Sequence, residues 1–168
     1  MKQMFEIIES NYGSEYVGIF KKFNGHNITG ELEESGSEKS DFEVSIRYMI
    51  ADYFLKTSKE IKDDFVTMFK DDDDKKVYLL TGDMMYEFCI EKNKSNGYAK
   101  AYDLKQAINY NINYRYKNTK ENNKYGFNKP IVERLDIDIP SNSIQLNRTS
   151  STDKDFDTFV KRTLEIIV

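Results

Sequence analysis

An α+β domain with helices packed on antiparallel sheet is the fold class this 168-residue sequence predicts. Three observations predict it. Phe42, Ile46, Met49, Ile50, Tyr53 and Phe54 recur at helical spacing. From Ile108 to Lys117 apolar and polar residues alternate without a break, which only a strand satisfies. The strand-like runs are separated by short turn sequences rather than by crossover helices, and that calls for antiparallel pairing. The 11 Phe and 12 Tyr supply a core although 32% of the residues are charged, so a folded domain is expected over disorder. The length suits one domain, residues 1–168.

In chain order, Met4, Phe5, Ile7 and Ile8 fit a short helix that Gly13 ends. Residues 16–23 read as a strand, because Asn24-Gly25 follows and is the strongest short hairpin signal. Ile28, Gly30 and Leu32 form one face of the return strand. Ser40 and Glu43 have the spacing of a capping box, so a helix is predicted over 41–56. Thr57 and Glu60 repeat that spacing, and Ile61, Phe65, Met68 and Phe69 continue the stripe, predicting a second helix over 58–70. The aspartates that follow would oppose the negative end of its dipole and stop it. Strands follow over 77–80 and 84–91, joined at Thr81-Gly82-Asp83, and then a loop over 93–97. A helical turn is placed after Asp103 and strands at 108–117, 135–139 and near 144–146. On the 108–117 strand, Tyr110, Tyr114 and Tyr116 are assigned to the core with Ile108 and Ile112. Phe156, Phe159, Val160, Leu164 and Ile167 form a closing helix packed on the sheet. The expected order is thus a helix, an N-terminal hairpin, two consecutive helices, an antiparallel meander and a C-terminal helix.

That order is similar to the helix-grip proteins of the pollen-allergen and lipid-transfer type. There a first strand, two short helices, further strands and a last helix enclose a cavity. The likeness implies a small-ligand carrier as one alternative, with the tyrosine-bearing face lining the cavity. The first helix and the short last helix depart from that pattern.

Composition narrows the chemistry. With one His, a histidine zinc site or a catalytic triad is not expected. His26 falls in the predicted hairpin turn. Cys89 lies on a strand face with Glu87 and Glu91, whose charges would hold its thiol protonated. Neither a Walker A run nor a G-x-G-x-x-G motif is present. Asp71, Asp72, Asp73 and Asp74 lack the glycine and the terminal glutamate of a calcium loop, since Gly82 occupies the last position. Glu60-Ile61-Lys62 is the lone Glu-x-Lys of a metal-nuclease kind and falls on a predicted helix. No cofactor and no metal are therefore expected. No run is apolar enough to span a membrane, and Glu6 and Glu9 interrupt any signal-peptide core. Together with the single cysteine this gives the expectation of a cytoplasmic protein. The richness in Lys, Asn, Ile and Tyr fits AT-rich coding, as in a low-GC bacterium or its phage.

The net charge of −4 hides an asymmetry. Between Glu31 and Asp74, fourteen acids stand against six bases, a net of −8. Between Lys92 and Arg134, ten bases stand against three acids, a net of +7. The function expected from this pattern is non-enzymatic protein–protein docking through a charged surface, as in bacterial immunity proteins and phage anti-defence inhibitors. The acidic candidates for partner contact are Asp63, Asp64, Asp71, Asp72, Asp73 and Asp74. The basic and polar candidates are Asn109, Asn111, Asn113, Arg115, Lys117, Lys120 and Lys124. Interleaved with tyrosines, these suit nucleic-acid binding as the other alternative.

Overall fold

A computed structural model describes residues 2–23, 36–71, 75–91, 95–117, 129–150 and 152–168. The order is α1 (Lys2–Tyr12), α2 (Ser14–Lys22), α3 (Gly36–Thr57), β1 (Val66–Asp71), β2 (Lys75–Thr81), β3 (Met84–Ile90) and β4 (Gly97–Asp103). A 3₁₀ turn at Leu104–Gln106 follows, then β5 (Asn109–Lys117), β6 (Lys129–Ile139), β7 (Asn142–Asn147) and α4 (Asp153–Ile167). The class is α+β. The strands form two meanders, a four-stranded sheet β1-β2-β3-β4 and a three-stranded sheet β5-β6-β7.

Sheet one is buried on both faces, and the alternation of its side chains decides what lies where. Phe69, Val77, Leu79, Tyr86 and Phe88 point to one side and meet Phe42, Ile46, Ile50 and Phe54 of α3. Met68, Tyr78, Leu80, Met85 and Tyr102 point to the other side. There they meet Phe156, Phe159 and Val160 of α4 and Leu135, Ile137, Ile144 and Leu146 of the second sheet. The layers therefore run α3, first sheet, then α4 with the second sheet. A smaller cluster of Val17, Phe20 and Ala51 fastens α2 to α3. Arg47 of α3 completes that joint. Its guanidinium donates to the carbonyls of Phe20 and Phe23, both at 3.4 Å, at the C-terminal end of α2.

Several predicted elements need correction. The predicted strand over 16–23 is α2, because Val17 and Phe20 bury at helical spacing. Asn24-Gly25, His26 and the predicted return strand around Ile28, Gly30 and Leu32 lie outside the described residues. The helix predicted over 41–56 begins at Gly36, so Ser40 is not its cap. Glu43 pairs forward with Arg47 at 2.6 Å instead of reaching back. The helix predicted over 58–70 does not form. Thr57 is the last residue of α3, and its hydroxyl donates to the carbonyl of Tyr53 at 2.8 Å. Ser58 turns the chain out with φ at 53°. The Lys59 amide reaches back to Phe54 O and the Ser58 amide to Leu55 O, the bond pair of a Schellman stop. Glu60-Ile61-Lys62 is irregular chain leading to β1. A strand at 97–103, β4, was not expected. The helix-grip order fails with these changes, since its first strand is a helix and its second helix is a strand.

Other expectations are met. The turn at Thr81-Gly82-Asp83 joins β2 to β3, with Thr81 opposite Met84 and Gly82 at φ +57°. A positive φ at the first central position is what a type II′ hairpin requires of a glycine. The 3₁₀ turn starts at Leu104 behind the Asp103 cap, whose carboxylate accepts from the Lys105 amide. Pro140 closes β6, and Ser141 follows it at φ 63°. Helix α4 starts beside Thr152, as Thr152 and Asp155 predict.

Candidate docking surface on the second sheet

Among the described residues the acidic candidates do not form one patch. Asp63 and Asp64 sit in the turn before β1. Lys22 reaches Asp63 at 3.2 Å and donates to the carbonyl of Ile61 at 2.7 Å. Arg162 of α4 donates to Asp64 at 2.7 Å while also holding Glu165 at 3.1 Å. These two carboxylates thus tie α2 and α4 to the entrance of β1. Asp71 is at the far end of that strand, in register with Lys75. The length of β1, about 17 Å at the usual rise for a strand, separates the two groups. Asp72, Asp73 and Asp74 lie outside the described residues.

The basic and polar candidates share the strand β5. Asn109, Asn111, Asn113 and Arg115 occupy one face, and Lys117 ends the strand opposite Lys129. Lys120 and Lys124 lie outside the described residues. That face is organised around Asp136 on β6. The Asp136 carboxylate accepts from the amide of Asn113, the Nε of Arg134 and the amide of Gln145, each at 3.0 Å. Asn147 extends the chain to Gln145 at 3.3 Å. Arg115 faces Glu133 at 3.9 Å. Farther back, Lys105 pairs with Asp83 at 2.7 Å. Each of these three cations has an acid beside it, while Lys100 lies over the ring of Tyr98.

The opposite face of β5 corrects the expectation of buried tyrosines. Ile108 is 73% exposed, Tyr110 40%, Tyr114 53% and Tyr116 66%. Only Ile112 packs against the core. The cause is coverage. Leu135 and Ile137 of β6 and Ile144 and Leu146 of β7 are sealed in the core that α4 completes. β5 is the outer strand, and its tyrosines project past that cover. Val132, in register with Tyr114, lines an open groove with Val160 and Leu164 of α4 and with Val168 just past its end. The apolar row therefore continues into the groove. Among the described residues β5 pairs only with β6, and no other described strand pairs with its outer edge of nine residues.

A buried polar cluster escaped sequence reasoning. Glu87 of β3 is buried in the first sheet. Its carboxylate accepts from Tyr98 at 2.7 Å and from Tyr102 at 3.3 Å, and Lys76 lies 3.7 Å away. Burial, reinforced by the charge of Glu87, pushes the Tyr102 phenol up to about 12. Burial and the hydrogen bond to Glu87 push Tyr98 up as well. Cys89 is in register with Tyr98 and fully buried. Both donors to Glu87 come from β4, the strand not expected from the sequence, so no signal pointed to the cluster. It saturates a carboxylate inside the sheet. Among the described residues no three of His, Cys, Asp and Glu converge as metal ligands would.

No protein-family model matches the chain, and comparison with curated proteins and with solved structures finds no match.

Proposed function

We propose that this chain is a non-enzymatic docking domain that binds a protein partner through its second sheet, with the tyrosine row of β5 as the anchor. The observation that carries the reading is the exposure of Ile108, Tyr110, Tyr114 and Tyr116 along one edge strand. Contiguous apolar surface on a small domain marks an interaction site, and tyrosine is among the side chains that concentrate binding energy there. Immunity proteins and anti-defence inhibitors work in this way, by covering a partner rather than transforming it.

The geometry favours a protein over a nucleic acid. Stacking tyrosines and backbone-binding cations would have to share a face, whereas Tyr110, Tyr114 and Tyr116 lie opposite Asn109, Asn111, Asn113 and Arg115. It also favours docking over carriage of a small ligand, because the tyrosines face outward and the groove beside them is open.

The test is capture from the native host, with and without nuclease. Three baits are compared: the wild type, a Tyr110→Ser/Tyr114→Ser/Tyr116→Ser variant, and an Asp63→Asn/Asp64→Asn variant. A nuclease-resistant partner that the tyrosine variant loses and the aspartate variant keeps supports the reading. Capture that survives loss of the tyrosines, or that nuclease abolishes, overturns it.

A further inference from the structure

The free edge of β5 matches itself. Antiparallel pairing of two copies about a two-fold axis at Asn113 would set Tyr110 against Tyr116, Ile112 against Tyr114 and Asn111 against Arg115. Moving the axis to Ile112 sets Tyr110 against Tyr114, Ile108 against Tyr116 and Asn109 against Arg115. In either register the aromatic face meets the aromatic face, because partner positions keep the same parity. Cross-strand aromatic pairs are among the more favourable sheet contacts.

Charge selects the antiparallel arrangement. β5 carries no acid, and its cations Arg115 and Lys117 lie at one end. Parallel stacking would oppose like charges directly. Antiparallel pairing sends the two Arg115 side chains at least four residues apart, about 13 Å, beyond a Debye length of about 8 Å. Asparagine then faces each arginine.

The other strands that end a sheet offer less. β1 and β7 have six residues each and β4 seven, against nine in β5. Among the described residues six large hydrophobics are exposed, and Ile108, Tyr110, Tyr114 and Tyr116 of these belong to β5 or the residue just before it. The irregularity in the β5–β6 register falls on the β6 side, where Glu133 is skipped between Arg134 and Val132, so it does not blunt the outer edge.

We infer that two copies of this chain pair β5 against β5 in antiparallel fashion, forming a continuous six-stranded sheet and joining their tyrosine rows into one surface. This rests on the reading of β5 as the docking strand, and it makes the second copy part of the site a partner meets. The pairing is isologous and closes at two copies.

Light scattering across a micromolar concentration series tests it. The wild type is expected near twice the chain's 19.8 kDa. Tyr110→Lys/Tyr114→Lys/Tyr116→Lys and the matching triple glutamate variant each oppose like charges and are expected as monomers. Circular dichroism checks that both variants keep their fold. Mixing the two variants is expected to restore a dimer. A wild type that stays monomeric overturns the inference, as does a lysine variant that still dimerises. A monomeric wild type whose partner capture still depends on the tyrosines removes the self-pairing alone. A β5-dependent dimer that captures nothing removes the docking reading alone.

Discussion

Tyr98 and Tyr102 show how much one buried carboxylate sets around itself. Both phenols donate to Glu87, and burial adds to the cost of ionising them. A tyrosine whose folded pKa lies above its unfolded value stabilises the fold fully below the unfolded value. That stability is lost as pH rises through the window between the two. For Tyr102 the window runs from the ordinary tyrosine value of 10.0 up to about 12. Stability is therefore expected to fall steeply above pH 10.0. Urea midpoints measured through that range check this, and Tyr98→Phe/Tyr102→Phe is expected to flatten the fall while lowering stability at neutral pH. An unchanged alkaline slope in the double variant would remove the cluster as its cause. None of this was legible in the sequence, where Glu87 is one acid among 29. The alternation of Tyr110, Tyr114 and Tyr116 was legible, and it correctly gave a strand. Whether a regular face meets core or water depends on where α4 ends its cover, which a local pattern does not record.

Elements were legible where one face is buried and ambiguous where two are. β1 places Met68 in one core and Phe69 in the other. Its neighbours Ile61 and Phe65 are buried in the irregular chain that leads into it. The resulting run of Ile61, Phe65, Met68 and Phe69 imitates a helical stripe although the chain is extended. α2 was lost to the opposite error, since a turn signal at Asn24-Gly25 outweighed the helical spacing of Val17 and Phe20. β4 was missed because an edge strand of Tyr, Ala and Lys buries little. Two substitutions probe these boundaries. Ser58 holds the left-handed stop of α3 at φ 53°, a conformation that costs a side chain with a Cβ. Ser58→Gly is expected to raise stability by about 0.5–1 kcal/mol. Gly97 opens β4 opposite Ile90, and a Cβ there would lie 2.6 Å from the Met49 methyl and 2.7 Å from the carbonyl oxygen of Cys89. The methionine can swing aside, but the carbonyl belongs to the sheet. Gly97→Ala is therefore expected to cost about 1–3 kcal/mol. Thermal or urea unfolding measures both, and a neutral Gly97→Ala would show that β4 is not held against β3 as described.

At the scale of the whole molecule, ion pairs of both charge blocks of the sequence tie separate elements together. Asp63 and Asp64 are met by Lys22 and Arg162 from opposite ends of the chain, and Arg115 and Arg134 by acids on β6. Ion pairing here joins elements rather than presenting one sign of charge to a partner. What integrates the fold is the first sheet, which is shared by both large cores. Ile46 packs on one side of it and Ile137 beyond the other, and both are fully buried. Because the same strands supply both cores, neither can melt while the other remains intact. Ile46→Val and Ile137→Val are each expected to cost about 0.5–1.5 kcal/mol. Lying in separate clusters, their effects should add within about 0.5 kcal/mol in the double variant. Far-ultraviolet and tyrosine near-ultraviolet signals should follow one urea transition with an unchanged slope in all three variants. Two transitions, with each substitution shifting a different one, would mean that the α3 side and the α4 side fold independently and that the first sheet does not couple them.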